Sequence, residues 1–423
     1  MSKIEIFAAG LVVFFVPLSY WTVFGILQVH DMIIVLAFLA FSIKASFTGR
    51  LFYPDAPTPF LAIVFLFAIV FILNYVNSQI DLIKISAFFS LIFVFWAGIY
   101  LSYNISVSKW ALVIAASAGG SALVAVGQFL GYVPVFSFTG VIGEASGYWS
   151  FSPVGITGVT GLIPTRGSYG IWLIAGLIAS LMLWHRYRGK HIRKIHFFAK
   201  LNISLIIIAS LLSQSRSTWL AVGLVFTVYT AMLFYGNSKN RNIARKRLLL
   251  GGVLLTVLII GVSSSVLNVL SSFNVDTVSI RMHQYETALS TFYANPFLGS
   301  GKQMVVEGKV VHNFFLSLLG SYGLLAFVLM LVIWTYPLGY SFYVIWNGRA
   351  RIDRISGVIW LCGIIGVVTE QMLYMGFYSK MFWSFLGVML GDLIKVRREV
   401  LASRWGFTAK NNGSEILREA CDG

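Results

Sequence analysis

Apolar runs of roughly 20 residues, separated by short polar clusters, recur along nearly the whole chain. A helical run of that length matches the ~30 Å hydrocarbon core of a bilayer. Composition agrees: 58% of residues are hydrophobic and only 11% charged, where a soluble domain carries about 25%. Mean hydropathy is +0.83. These values exclude a soluble enzyme and a disordered chain. They predict an all-α integral membrane protein with about twelve transmembrane helices, near 6–27, 32–43, 59–76, 82–103, 109–130, 169–185, 199–213, 217–236, 248–270, 313–336, 357–375 and 381–395. The apolar stretch from Asn313 to Ile345 exceeds the core thickness, so it must tilt, kink near Pro337, or project. The N-terminus could imitate a signal peptide, but its apolar stretch is too long for an h-region and reads as a first span.

The segment from Leu201 to Tyr235 reads as two spans joined at Ser213-Gln214-Ser215-Arg216-Ser217. One helix of that length would be roughly 52 Å long, too long for the core. Basic clusters at 185–194 and 239–247 also flank it, and both belong in the cytoplasm. Two spans put them on one side.

That layout places both termini in the cytoplasm. It accounts for the formal net charge of +16 without nucleic acid. Of the 31 lysines and arginines, 24 fall on the cytoplasmic side, and the outer set is balanced by acids. Residues 1–395 form the transmembrane domain and 396–423 a polar cytoplasmic tail. Cys362 lies in an apolar run and Cys421 in the last three residues, which excludes a disulfide framework and a Cys-rich metal site.

Two long outer loops remain, near 131–168 and 271–312. Arg166, Arg216 and Arg281 lie outside, against the positive-inside bias. Arginine presents a planar fork of donors suited to phosphate, though each could instead snorkel, anchor a loop, or pair with Glu286 or Glu144. The second loop also carries Tyr285 and Glu286 and ends at His312-Asn313, where the tenth span begins. A neutral imidazole at His312 could accept a proton from a sugar hydroxyl; it could equally cap the helix. His185, His191 and His196 read as solvated charge, and His30 and His283 as outer residues with no clear partner. Glu370 interrupts the eleventh span, where it could pair with an arginine or carry protons.

Other chemistries find little support. There is no Walker-type phosphate loop, Gly299-Ser300-Gly301 follows no strand, and no His-Glu-x-x-His run occurs. No Asp-x-Asp pair stands on an outer loop, which weakens a metal-dependent glycosyltransferase of that type.

Ser213-Gln214-Ser215-Arg216-Ser217-Thr218-Trp219-Leu220-Ala221 resembles the short outer turn of the O-antigen ligase/polymerase superfamily. Arg281 through Pro296, Gly299 and Gly301 to His312-Asn313 resembles its large periplasmic loop. His312-Asn313, nine residues, then Gly323 is similar to the ligase signature, with Ala326 departing from its usual end. The resemblance covers about 165–335.

The resemblance implies a GT-C-like, metal-independent integral glycosyltransferase of the bacterial inner membrane, without a cofactor. It implies a periplasmic loop subdomain between spans 9 and 10 and a periplasmic active site. The donor would be a glycan on undecaprenyl pyrophosphate. Arg216 and Arg281 would hold the pyrophosphate, with Arg166 a third, and Tyr285, Glu286 and Asn313 would line the substrate site. His312 would activate the acceptor hydroxyl. In a ligase the acceptor is lipid A–core; in a polymerase it is another lipid-linked repeat unit. A flippase of lipid-linked sugars is the alternative of another class. Convergence of the three arginines and His312 on one outward cavity separates the enzyme from the transporter.

Overall fold

A computed structural model describes residues 3–20, 22–23, 27–48, 57–76, 82–133, 159–163, 166–188, 192–213, 215–235, 275–302, 304–306, 309–311, 313–348, 351–373 and 379–404. The expected span at 248–270 and most of the 131–168 loop lie outside these residues, as do His191, Cys421 and the tail beyond Arg404.

The described chain is almost entirely helical: α1 Lys3–Phe14, α2 Val29–Thr48, α3 Pro57–Val76, α4 Leu82–Asn104, α5 Val107–Phe129, α6 Arg166–Tyr187, α7 Arg193–Leu212, α8 Arg216–Tyr235, α9 Val275–Ala294, α10 Phe314–Asn347, α11 Arg351–Leu373 and α12 Lys380–Arg404. Two-stranded hairpins pair β1 (Thr22–Val23) with β2 (Leu27–Gln28), and β3 (Val305–Val306) with β4 (Lys309–Val310). Among the described residues, five helices are long and apolar enough to cross a membrane: α5, α6, α7, α10 and α11. The stretch 201–235 is two helices, as expected, because α7 ends at Leu212 and α8 begins at Arg216.

One expectation needs correction. The stretch 6–27 is not one helix. Pro17 lacks an amide hydrogen and its ring crowds the preceding turn, so α1 stops at Phe14. A 3-10 turn covers Val16–Tyr20, and β1–β2 follows. The long apolar stretch, expected to tilt, kink near Pro337 or project, forms α10 with Pro337 inside it. Its break is at Gly323, where φ is +72° inside α10. The rings of Phe315 and Phe327 lie 6.3 Å apart across it. Phe314 and Trp334 both pack on Phe382 (5.9 and 5.7 Å), although 20 residues of straight helix would separate them by about 30 Å.

Polar contacts show how the helices alternate. Near one end, Tyr100 of α4 donates to Glu5 of α1 at 2.7 Å. Lys395 of α12 reaches the Ile105 carbonyl at 2.9 Å. Asp392, wholly buried, receives Trp110 Nε1 (3.1 Å) and Trp360 Nε1 (2.7 Å) from α5 and α11. Those two indoles stack at 5.3 Å. A carboxylate inside a bundle is costly unless paired, and here both oxygens are. Gly387 and Gly391 let α12 press against α4: a Cβ on Gly387 would sit 2.2 Å from the Phe95 carbonyl oxygen, a small-residue crossing suited to membrane helices.

At the opposite end Lys380 pairs with Asp31 at 2.5 Å. His30, expected without a partner, is fully buried there, with Nε2 2.8 Å from the Val12 carbonyl oxygen. His185 is likewise no solvated charge, since it bonds the Tyr229 hydroxyl between α6 and α8.

Candidate functional site

The site end is built first by a stretch of non-helical chain. Residues 159–163 fold into the bundle rather than over it, with Val159 and Ile163 essentially unexposed. Backbone at such depth must be satisfied by protein. Gln128 does so: its Oε1 accepts from the amides of Thr160 (3.2 Å) and Gly161 (2.9 Å), and its Nε2 donates to the Gly161 carbonyl (2.8 Å). Ser121 Oγ takes the Leu162 amide at 3.1 Å. Gly161 adopts φ +61°, and a Cβ there would lie 2.4 Å from the Ser121 carbonyl oxygen. Residues counted in the sequence as outer loop thus form a buried turn that starts α6 at Arg166, three residues earlier than expected.

The second element is the 213–217 junction. Ser213 closes α7 by donating to the Ser210 carbonyl at 2.7 Å. Ser215 Oγ accepts weakly from the Thr218 amide at 3.4 Å and lies 2.9 Å from Ser217 Oγ. Serine oxygens at these positions satisfy the free amides of a helix start. Arg216 is therefore the first residue of α8, as Arg166 is of α6. The side chains of both arginines lie outside the described atoms.

The two helix starts are joined. Ser217 Oγ donates to Glu370 Oε1 at 2.8 Å, and Glu370 of α11 is wholly buried. Gly170, one turn into α6, touches the same spot: a Cβ there would sit 2.2 Å from Thr218 Oγ1 and 2.9 Å from Glu370 Oε1. Two helix N-termini, each beginning with arginine and each carrying the positive end of a macrodipole, meet over one carboxylate. Free amides at a helix N-terminus suit an anion.

The 271–312 loop forms the third element. α9 packs on α10 through a small core of Ala288, Met304, Val306 and Val311, joined by Tyr285 and Leu316. Arg281 is exposed one turn before Tyr285 on the same stripe of α9, while exposed Glu286 lies about 140° round the helix from Arg281. Tyr285 is thus partly a packing residue. The 296–301 turn docks on the α10 break: Ser300 and Gly301 donate to the carbonyls of Gly320 and Ser321, both at 2.8 Å. Asn313 is the N-cap of α10, its side chain accepting from the Leu316 amide at 3.0 Å, the role that favours asparagine there. His312 lies outside the described residues. Its neighbour Phe314 packs on Phe382, two residues into α12, so the start of α10 belongs to the same end of the bundle as Arg166, Arg216 and Glu370.

Residues 201–331 match the O-antigen ligase family model. The match supports the O-antigen ligase/polymerase superfamily, and with it a glycosyltransferase-type enzyme in a membrane. No curated protein matches the chain. The O-antigen ligase match runs from α7 through α8 and α9 into α10. It contains Arg216, Arg281, Tyr285, Glu286, His312 and Asn313, whereas Arg166, Gln128 and Glu370 fall outside it. Sequence reading missed the Gln128 latch and the Ser217–Glu370 tie. Each had one signal available: Gln128 is a lone polar side chain in an apolar helix, and Glu370 a carboxylate within an apolar span.

Proposed function

We propose that this chain transfers an O-antigen glycan from undecaprenyl pyrophosphate to lipid A–core at the periplasmic face. The observation that carries this reading is the junction of the α6 and α8 N-termini, begun by Arg166 and Arg216 and tied at Glu370. A pyrophosphate brought there by its lipid meets helix-end amides and arginines together. Arg281, on the loop subdomain packed against α10, supplies the third guanidinium.

In the reaction the acceptor hydroxyl oxygen attacks the anomeric carbon of the donor sugar. The new glycosidic bond forms as the bond from that carbon to the pyrophosphate oxygen breaks. His312 takes the hydroxyl proton, and undecaprenyl pyrophosphate leaves with the bonding electrons. Neutralising the charge that develops on the leaving group is worth several kcal/mol in a partly dry site, about 3–4 per well-placed donor. No nucleotide is required.

Gene deletion followed by a lipopolysaccharide gel tests this. Loss of all O-chain from lipid A–core, with polymer retained on the carrier, is the expected result. Core capped by a single repeat unit would instead assign the chain as a polymerase, the alternative within the superfamily. Normal ladders with precursor trapped at the inner leaflet would favour the flippase reading and sink the enzyme.

A further inference from the structure

We propose that Glu370 is a positioning residue for the donor diphosphate: its carboxyl group fixes the first turns of α6 and α8, which begin at Arg166 and Arg216, against each other. This role rests on the transferase reading above. Ser217, bonded to Glu370 Oε1 at 2.8 Å, directly follows Arg216. Gly170, whose missing Cβ leaves 2.9 Å to that same oxygen, is one turn from Arg166. A single oxygen therefore contacts both arginine-bearing turns. Any side chain at Gly170 would pry them apart.

The cost of this arrangement argues for a role beyond packing. Glu370 is wholly buried, and its Oε2, together with the Tyr169 hydroxyl, has no hydrogen-bond partner among the described residues. An under-partnered acid in an apolar span is expensive, and a similar-sized apolar side chain would pack at lower cost. Its location offsets part of this, since negative charge near two helix N-termini is favoured.

The test uses the full chain purified in lipid nanodiscs, with the undecaprenyl-pyrophosphate-linked glycan as donor and lipid A–core as acceptor. Glu370→Ala and Ser217→Ala are each expected to reduce kcat/KM for the donor by about tenfold or more, mainly through donor KM, with acceptor KM unchanged. Glu370→Gln keeps an Oε1 acceptor for Ser217 and is expected to recover most of the loss. The Ser217→Ala/Glu370→Ala double variant should be no worse than the poorer single one, because both remove the same link. A structural residue behaves differently: Glu370→Ala would lower folded yield while donor KM per folded molecule stayed at the unmodified value. That result, or an unchanged donor KM in Ser217→Ala, overturns the proposal alone. An unmodified chain that transfers no glycan overturns the transferase reading and this role with it.

Discussion

The backbone amide of Leu324 donates to the carbonyl of Pro296 over 2.7 Å. A mid-helix amide normally bonds four residues back in its own helix. Here the break at Gly323 frees it, and the 296–301 turn takes it up. Gly323 is required twice over: at φ +72°, and because a Cβ would lie 2.3 Å from the Phe297 carbonyl group. Gly323→Ala should cost about 1–3 kcal/mol for a positive-φ extended backbone that essentially only glycine adopts and about 1–3 kcal/mol for the overlap. Thermal unfolding in detergent should fall accordingly, and the 296–312 segment should become protease-sensitive. Unchanged resistance would remove the docking role.

Gln128→Ala should release the 159–163 turn. It leaves two amides and a carbonyl without the partner described above, each worth about 1–3 kcal/mol if left unsatisfied. Hydrogen exchange at Thr160 and Gly161 should accelerate, and transfer activity should fall as the start of α6 shifts. Protected amides in an inactive variant would point to another cause.

Asp392→Ala should destabilise the opposite end of the bundle without altering substrate dependence. It strands the indole donors of Trp110 and Trp360, at about 1–3 kcal/mol each. The readout is a lower melting temperature with unchanged KM for donor and acceptor. A variant that melts normally would show that the two indoles find other partners.

His312→Ala should abolish transfer while membrane insertion and melting temperature persist. An active variant would falsify its role as the proton acceptor.

Much of the helix layout was legible in sequence because apolar run length fixes it: α3, α4, α5 and α8 begin and end within two residues of expectation. The α7–α8 turn was legible from the basic clusters flanking it. What escaped had tertiary causes. Nothing local says that 159–163 turns inward, since the partners that satisfy it, Gln128 and Ser121, are more than 30 residues away. Pro337 offered a stronger local kink signal than Gly323, yet the docked 296–301 turn selected the glycine. The tie between Glu370 and Ser217 spans 153 positions. Glu370 itself stood out as a carboxylate in an apolar span, but only packing reveals what it holds.

The break at Gly323 also divides the electrostatics of α10. A continuous helix of 34 residues would carry one macrodipole, with its negative pole at the far, basic end. Split at Gly323, α10 carries two. The negative pole of the outer piece, at Gly320 and Ser321, is quenched by the amides of Ser300 and Gly301. The same 296–301 turn takes the amides of Leu324 and Leu325 at the start of the inner piece (2.7 and 3.5 Å), so one loop closes both sides of the break.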